Sequence, residues 1–412
     1  MQVNHKDAVI IGGGPAGLAA AVQLKKNGID NIIIIEREKH LGGILRQCIH
    51  DGFGLARFGE SISGPEYAQR FIDEVNRLGI EVITDTTVIE VSPDKMVTAV
   101  NRQGIVSYKA KAVLLAMGCR ERTRGAINIP GFRPAGVYTA GVAQNYINLR
   151  NTMVGKEVVI LGSGDIGMIM ARRMTLEGAN VKAVFEILPY PSGLQRNIEQ
   201  CLNDYNIPLY LSHTVTRIHG RHRVEGVTVS KVDSSLKPIE GTEQFFSCDT
   251  LILSVGLIPE NELSLMAGVE LDRNTRGAYV DDSFQTNCTG IFAAGNVLHV
   301  HDLVDYVSLE AEEMANAVAE YIRTGQVPEA NIAISPGENV GYIVPQKTCG
   351  TKDIQISFRV RRPLRDCAVT VTQGDHMIVT KKLRKAIPSE MIKIKVPADR
   401  IKPNTRIEVK AV

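Results

Sequence analysis

The chain has 412 residues, of which 44% are hydrophobic, and its formal net charge is +2. This length allows two or three domains, and the small net charge argues against nucleic acid as a partner and against a polybasic role at a membrane. No run of about 18 apolar residues is present, so no transmembrane segment is expected, and the N-terminus does not resemble a signal peptide.

The first predicted elements form a strand, a glycine loop, a helix and a second strand. The strand at residues 7–11 enters the loop at 12–17, the helix runs to about Lys26, and the second strand ends at Glu36. This context supports a dinucleotide-binding motif, because the glycines allow a tight turn and close approach of the backbone to a pyrophosphate. The N–H groups at the start of the helix favour phosphates, and the acid accepts hydrogen bonds from a ribose.

The second unit repeats the first, with a strand at residues 158–161, a glycine loop at 162–167, a helix, and a strand that ends at Glu186. The first glycine and the acid are 24 residues apart in both units. Two structural units without ligands are the alternative, which the joint presence of loop and acid disfavours. Two such sites predict two dinucleotides that exchange a hydride, one a flavin and one a nicotinamide nucleotide.

Two further strands end in glycine turns, AVLLAMG at residues 112–118 and GIFAAGN at 290–296. Together with the pair Gly42-Gly43, they resemble the FAD-domain motifs of the two-dinucleotide-binding flavoprotein superfamily, which includes thioredoxin reductase, glutathione reductase and NADH oxidases. The resemblance covers about residues 7–325.

This resemblance implies an α/β fold in which an FAD-binding Rossmann-like domain contains an inserted NAD(P)-binding Rossmann-like domain. The FAD-binding domain is expected at residues 1–122 and 257–325, and the NAD(P)H-binding domain at 123–256. The FAD contacts that the resemblance implies are Gly12, Gly14, Pro15, Ala16, Gly17, Glu36, Gly43, Val88, Ala116, Gly118, Gly295, Asn296, Leu303 and Val304.

Four segments resemble a narrower group, the flavin subunits of sarcosine, opine and hydroxyproline dehydrogenases and the oxidoreductases associated with glycerol-3-phosphate dehydrogenase. They are GCRER at residues 118–122, Pro130-Gly131, GVYTAG at 136–141 and GNVLHVHD at 295–302. The narrower resemblance implies a partner dehydrogenase subunit or electron-carrier subunit.

The sequence departs from the superfamily pattern in three places. Asn296 replaces the usual aspartate, but its amide oxygen can still accept a hydrogen bond from the ribityl chain. Met117 replaces the usual threonine, which leaves a backbone contact possible. The chain has no CxxC or Cys-x4-Cys pair, so disulfide-reductase chemistry by the familiar route is not expected.

The nicotinamide nucleotide is assigned to the second unit. The expected contacts include Glu186, whose carboxylate would repel a 2′-phosphate, and no basic residue occurs at positions 187–194. We therefore expect NADH to be preferred over NADPH. The complete predicted set is Gly162, Gly164, Asp165, Ile166, Gly167, Glu186 and Gly256.

A strong helical pattern follows Asp302, which is predicted to be its N-cap, with Asp305 three positions on. In the superfamily this helix directs its N-terminus at the flavin pyrimidine ring, where its dipole would stabilise an anionic reduced flavin. His299 and His301 would lie nearby, and a buried, hydrogen-bonded histidine is the alternative to a catalytic one.

Cys48 is the other weak catalytic candidate, with His50 two residues on, but a lone cysteine is more often an inert buried residue than a nucleophile. The seven cysteines are scattered, which favours a reducing compartment and a cytoplasmic location. They provide no ligand cluster for zinc or iron–sulfur, so no metal is expected.

Residues 326–346 contain three prolines and are predicted to be a linker. Residues 347–412 contain short alternating strands typical of a small all-β domain. Many basic residues occur there, and either a solvated sheet face or a docking module would explain them. Removing the chain after about Gly325 is expected to spare NADH-dependent flavin reduction but to abolish the effect of a partner, provided that the core still folds.

The sequence therefore predicts an FAD-dependent NAD(P)H oxidoreductase that moves electrons between NADH and a partner dehydrogenase subunit or acceptor. The first alternative is a self-contained NADH oxidase or a thiol-linked reductase that uses Cys48. The second is a cofactor-binding structural subunit without turnover.

Overall fold

The computed structural model describes residues 3–412 and divides them into two compact units. Unit 1 contains the chain up to Cys119 and the return at Pro259–Val412, and unit 2 is the insertion Arg120–Ile258. The insertion is thus three residues longer at its start and two longer at its end than the segment 123–256 expected from the sequence. Two short strands, Cys119–Glu121 and Leu257–Pro259, lie at these crossing points.

Unit 1 is built on a sheet whose central strands are parallel. Val3–Ile11 pairs with Ile32–Ile35 on one side and Gly104–Leu115 on the other, and Ile291–Ala293 returns beside Gly104–Leu115. All four residues of Ile32–Ile35 are buried, as expected for a parallel strand covered on both faces. The remaining strands of this sheet are Glu81–Ile83, Thr87–Val91 and Met96–Asn101.

Helices cover this sheet. Pro15–Lys26 follows the glycine loop directly, and Val304–Thr324, here called the long helix, packs against it. The side chains between them are small, with Ala19, Ala20 and Ala315 fully buried, so the two helices approach closely. The other helical segments of unit 1's α/β part are Gly43–Gln47, Gly64–Arg77, Glu262–Met266 and Gly295–Val297.

Unit 2 repeats the strand–loop–helix arrangement. Glu157–Leu161 is central in a five-stranded parallel sheet, flanked by Asn180–Glu186 and Thr250–Leu253. The outer strands of that sheet are Leu209–Leu211 and Val137–Thr139. A second sheet, which is antiparallel, contains His213–His219, Gly226–Lys231 and Gln244–Ser247. The helical segments of unit 2 are Arg124–Ile127, Ala140–Arg150, Asp165–Leu176, Gln195–Cys201 and Asn203–Tyr205.

The C-terminal region is all β apart from one short turn of helix, Ala398–Arg400, and has its own apolar core around Ile356, Phe358 and Val369. One sheet contains Lys347–Thr348, Ile332–Pro336, Ile407–Ala411, Leu364–Gln373 and His376–Ala386, and the other contains Val340–Val344, Ile354–Val360 and Ile392–Val396.

Two of these strands, Ile332–Pro336 and Val340–Val344, lie in the segment expected to be a linker. The prolines did not exclude strands there, because Pro336 ends one strand and Pro345 follows the other. The all-β region is therefore longer than residues 347–412.

The β region is also packed onto the α/β part of unit 1. Val344 is buried in the core that contains the first sheet, and Gln346 exchanges hydrogen bonds with the backbone of Val280. The Thr348 hydroxyl donates to the buried carboxylate of Asp282 at 2.7 Å. No helix within residues 3–412 combines the length and apolar character needed to cross a membrane.

Candidate functional site

The first glycine loop brings together the ends of two neighbouring strands and the start of a helix. A Cβ atom at Gly12 would collide with the carbonyl oxygen of Ala116, and one at Gly17 would collide with the carbonyl oxygen of Gly12. No side chain caps the helix Pro15–Lys26, whose N-cap is Gly14. The first-turn N–H groups are therefore directed at the space that a pyrophosphate would fill.

Glycine backbones line that space. A Cβ at Gly43 would lie 3.0 Å from the Cα of Gly14, and a Cβ at Gly295 would lie 3.0 Å from the Cβ of Ala16. Side chains at these glycines would thus narrow the approach to the helix start. This glycine-lined cradle fits the pyrophosphate of FAD, and the structure brings Gly12, Gly14, Ala16, Gly17, Gly43, Ala116 and Gly295 together around it.

Glu36 is buried at the end of the second strand. Its Oε2 accepts a hydrogen bond from the Gly13 amide at 2.7 Å, and its Oε1 accepts one from the Glu38 amide at 2.8 Å. Each carboxylate oxygen retains acceptor capacity for a ribose hydroxyl. Val88 follows two residues after Thr86, whose amide donates to the Glu36 carbonyl, so both residues border this end of the sheet.

Asn296 lies in the turn after the returning strand, and the chain itself uses its amide group. Its Oδ1 accepts from the His301 amide at 3.0 Å, and its Nδ2 donates to the Cys119 thiol sulfur at 3.6 Å. The ring Nδ1 of His301 also lies 3.4 Å from Oδ1, so His301 borders the second acceptor position of this oxygen. Sequence reasoning overlooked Cys119, although it directly follows Gly118, one of the expected FAD contacts.

Glu310, on the long helix, connects this turn to two histidines. Its Oε1 accepts from the Gly295 amide at 2.8 Å, and its Oε2 lies 2.6 Å from Nε2 of His299 and 3.3 Å from Nε2 of His301. Burial lowers the pKa of His299. Burial alone would raise the pKa of Glu310, but the two histidines hold that pKa well below its usual range. The network thus holds an anionic Glu310 against the turn at Gly295.

Within residues 3–412 this trio is the one group of three or more His, Cys, Asp or Glu side chains that could hold a metal ion, and its ligand atoms lie within 4.8 Å of one another. The 2.6 Å between His299 and Glu310 is a hydrogen-bond distance, whereas two ligands of one tetrahedral zinc ion lie about 3.3 Å apart. As it stands, the trio is a hydrogen-bonded network. His299 is buried and hydrogen-bonded, which is the alternative to a catalytic histidine.

The prediction that Asp302 is the N-cap of the long helix is wrong. The N-cap is Leu303, followed by Val304, and no side chain caps the helix, so its N-terminal N–H groups are directed outward from the first turn. Asp302 is turned toward the C-terminal region, where it accepts from the Met391 amide at 3.2 Å and lies 3.5 Å from the Arg359 guanidinium. That ion pair competes successfully with local capping.

Asp305 is buried in the first turn of the long helix and serves a different purpose. Its carboxylate accepts from the amides of Gly54 at 3.0 Å and Ala56 at 3.1 Å, so it fixes a loop against the start of the helix. Arg359 fixes the other side, since it also donates to the Val300 carbonyl at 3.1 Å and the Tyr342 hydroxyl at 3.1 Å. No local sequence signal marks Arg359.

Cys48 lies in the turn after Gly43–Gln47, and its thiol contacts the Ile44 carbonyl at 3.4 Å. Burial raises the pKa of this thiol to about 12. The nucleophilic thiolate is therefore strongly disfavoured at neutral pH. All seven cysteines are free thiols.

The second glycine loop has the same backbone geometry as the first. A Cβ at Gly167 would lie 2.6 Å from the Gly162 carbonyl oxygen, and the Gly162 amide donates to the Phe185 carbonyl at 2.7 Å. The helix Asp165–Leu176, which contains Ile166, follows Gly164 without a side-chain cap. Gly256 lies beyond the neighbouring strand Thr250–Leu253, and its carbonyl accepts from the Arg122 amide at 2.9 Å.

Glu186 is buried at the end of the next strand and accepts four hydrogen bonds. The donors are the amide of Ser163 at 3.0 Å, the hydroxyls of Ser163 at 2.6 Å and Ser192 at 2.8 Å, and the amide of Leu188 at 3.0 Å. The two hydroxyls were not anticipated from the sequence. They hold a carboxylate, rather than a cation, at the end of this strand.

Asp165 binds the loop that follows Glu186. Its Oδ1 accepts from the Leu194 amide at 2.8 Å and from the Asn197 side chain at 2.6 Å. This side chain is therefore an organiser of the loop, and any contact with a nucleotide would come from its backbone at the helix start.

The family described as pyridine nucleotide-disulphide oxidoreductase matches residues 6–320. The chain belongs to this family and is an FAD-dependent NAD(P)H oxidoreductase, which confirms the superfamily and the enzyme class predicted from the glycine units. An enzyme of this class is not a structural subunit without turnover.

Three comparisons illustrate the range of relatives. The chain is 25% identical over 329 residues to the hydrogen cyanide synthase subunit HcnB of Pseudomonas protegens, covering 74% of this chain and 67% of that protein. It is 26% identical over 358 residues to the NAD(P)H sulfur oxidoreductase (CoA-dependent) of Pyrococcus abyssi, covering 84% and 70%. The thioredoxin reductase of T. acidophilum shares the fold, with a TM-score of 0.63 and 23% identity over 77% of this chain and 98% of that one.

Proposed function

We propose that this oxidoreductase moves electrons between NADH and a partner protein, either a dehydrogenase subunit or an electron-carrier subunit. The observation that carries the proposal is the pair of glycine loops, each with a buried acid on the next strand and neither accompanied by a redox cysteine pair. Without a disulfide relay, reduced FAD would pass its electrons directly to the acceptor or to a second protein that carries the next redox centre.

When bound, FAD supplies the two-electron chemistry, and the chain's own residues bind, orient and tune it. The uncapped first turn of Pro15–Lys26 binds the pyrophosphate, and Glu36 binds the adenosine ribose. The uncapped start of the long helix at Leu303 and Val304 favours negative charge beside it. Asp305 and Arg359 fix that helix start from two sides.

We propose NADH as the nucleotide. The four donors to Glu186 keep its carboxylate in place; Oε1, which accepts only one of the four bonds, can accept from a ribose hydroxyl, and the negative charge would repel a 2′-phosphate. The proposed contacts remain Gly162, Gly164, Asp165, Ile166, Gly167, Glu186 and Gly256.

A partner subunit is supported by the resemblance to the sarcosine, opine, hydroxyproline and glycerol-3-phosphate dehydrogenase systems, and by the likeness to HcnB, which is itself a subunit. The scattered free thiols favour a cytoplasmic location.

A self-contained or thiol-linked reductase is the second candidate, favoured by the likeness to the CoA-dependent sulfur oxidoreductase. The raised pKa of Cys48 argues against that residue as its nucleophile.

Anaerobic titration tests the main proposal. The purified chain is expected to be yellow, and without oxygen NADH is expected to bleach it much faster than NADPH does. In a separate aerobic assay, the chain alone is expected to show slow oxidase activity, and turnover is expected to rise strongly when a partner subunit is added. A protein that stays colourless after incubation with FAD would contradict FAD binding. Equal rates with both nucleotides would contradict the preference for NADH, and full turnover of the isolated chain would contradict the need for a partner.

A further inference from the structure

Charge is unevenly distributed along the chain. Residues 347–412 contain 16 lysines and arginines against six acids, a net charge of +10, while the whole chain carries +2. The remaining residues therefore carry −8. Such an asymmetry creates a local positive field that the overall charge conceals.

The densest part of this positive charge lies on one hairpin, Leu364–Gln373 and His376–Ala386. The basic hairpin is defined here by Arg365, Lys381, Lys382, Arg384 and Lys385, all of which are exposed. Across the two strands Arg365 is directly opposite Lys385. Like charges that lie opposite each other destabilise a sheet, so the stability of the sheet does not explain why these two residues are both basic.

Asp366 is on the same hairpin, but the basic side chains of this patch are not held in ion pairs within the part of the chain that the structure describes. Within the described residues 3–412, no salt bridge involves Lys381, Lys382, Arg384 or Lys385, whereas Lys395 and Lys410 elsewhere in the region pair with Asp353 and Glu408. The basic hairpin is thus free to attract negative charge from outside.

The hairpin borders a cavity of about 270 Å³ that reaches the start of the long helix. Lys381, Lys385 and Lys393 line it together with one acid, Glu390, and with Tyr306 of the first helical turn. The Lys393 ammonium lies 3.9 Å from the centre of the Tyr306 ring. The neighbouring Met391 amide bonds Asp302, so this face is fixed to the helix start.

We propose that the basic hairpin and its groove beside Tyr306 dock an acidic surface of the protein that accepts the electrons. This inference rests on the proposed function and specifies the charge of the partner. A partner held there lies beside the uncapped start of the long helix, the end that the proposed FAD site uses. Oxidation of one NADH to NAD⁺ and a proton supplies two electrons, which reduce two molecules of a one-electron acceptor.

The test compares acceptors of different charge in the FAD-loaded full chain. The variant Lys381→Glu/Lys385→Glu is compared with Lys237→Glu/Lys402→Glu, which changes the same charge at two exposed lysines outside the patch. The acceptors are an acidic Rieske-type [2Fe–2S] ferredoxin, the basic cytochrome c, the neutral quinone menadione and the small anion ferricyanide.

At about 0.02 M salt, kcat/KM for the acidic ferredoxin is expected to fall about tenfold or more in the hairpin variant relative to the control. Reduction of cytochrome c, menadione and ferricyanide should stay within about twofold of the control or, for cytochrome c, rise. The ferredoxin difference should shrink at about 0.5 M salt, because surface charge is then screened.

Several results would overturn the docking site. The first is an equal rate of ferredoxin reduction in the two variants, and the second is a wild-type chain that reduces menadione but not the ferredoxin. The third is a fall in cytochrome c reduction by the hairpin variant as large as its fall in ferredoxin reduction. An equally large fall in ferricyanide reduction would show instead that the patch is a site for small anions. Failure of wild-type menadione reduction by NADH would instead contradict the proposed function, so the two failures are distinguishable.

Discussion

The two glycine units have the same backbone and different side chains. In each unit, the amide of the first glycine donates a hydrogen bond to the carbonyl of the residue before the acid. The distance is 2.9 Å from Gly12 to Ile35 and 2.7 Å from Gly162 to Phe185. In each, the acid accepts from the second loop residue and from the residue two positions after itself. Glu186, however, also accepts hydrogen bonds from two serine hydroxyls, and Glu36 has no such donors among the described residues.

The helix starts differ in the same way. In unit 1, the space beside the helix start is bordered by the Gly43 backbone, whereas in unit 2 Asp165 binds the loop residues Leu194 and Asn197. The backbone pattern therefore defines a dinucleotide site without choosing the dinucleotide. Side chains around the acid and the helix start make the two sites different.

The largest expected effect comes from removing the third glycine of either loop. Gly17→Ala is expected to abolish FAD binding, because its Cβ would collide with the Gly12 carbonyl oxygen. Gly167→Ala is expected to leave the protein yellow but to reduce NADH-dependent bleaching at least about tenfold, because its Cβ would lie 2.6 Å from the Gly162 carbonyl oxygen. Flavin absorbance and stopped-flow bleaching measure the two effects.

Gly28→Ala is the control, since no atom lies within 4 Å of the added Cβ and the cost is the left-handed backbone alone, about 1 kcal/mol. If Gly17→Ala kept its FAD, or if both loop variants lost the same cofactor, the assignment of one dinucleotide to each loop would be wrong.

The next largest effect concerns the stability of unit 1. Arg359→Leu is expected to destabilise unit 1, because the Arg359 side chain is 16% exposed and its loss removes the ion pair of Asp302 and the side-chain donor to the Val300 carbonyl, at a cost of roughly 2–4 kcal/mol. Urea unfolding followed by flavin release should shift, while the NADH dissociation constant measured by quenching should not. Lys395→Leu, which removes an exposed ion pair with Asp353, is the matched control.

The condition that the core still folds is not expected to hold when the chain is removed after Gly325. Val344 is 2% exposed within the core of the first sheet, so truncation would uncover that core. A truncated chain that kept full FAD affinity and stability would contradict the packing described here.

A smaller effect is expected at the acid of unit 2. Glu186→Gln should lower the ratio of NADH to NADPH efficiency about tenfold, because the negative charge that faces a 2′-phosphate is removed. Ser192→Ala, which removes one donor to the same carboxylate, should change the ratio less. An unchanged ratio in Glu186→Gln would place nucleotide selection elsewhere.

Both loops could be predicted from the sequence, because the glycines and the acid of each motif lie within one stretch of about 24 residues. It could not predict that Arg359 would bind the segment around Asp302, because partners 57 positions apart meet only through strand register. The same contact explains why Asp302 does not cap the long helix despite a suitable local pattern. The strands at 332–336 and 340–344 were hidden by prolines that occupy strand ends.

The smallest expected effect is at Cys48, the one cysteine near the glycine loop of unit 1 that was considered as a nucleophile. Burial raises the pKa of its thiol to about 12, so the thiolate is scarce at pH 8. Cys48→Ser should therefore leave NADH-dependent reduction of menadione within about twofold of wild type, and iodoacetamide should label Cys48 slowly, with the rate rising as pH is raised toward 12. Cys119→Ser, which alters a contact of Asn296, is the comparison and should shift the flavin absorbance band. Loss of turnover in Cys48→Ser with FAD still bound would restore the thiol-linked reductase and remove the need for a protein acceptor.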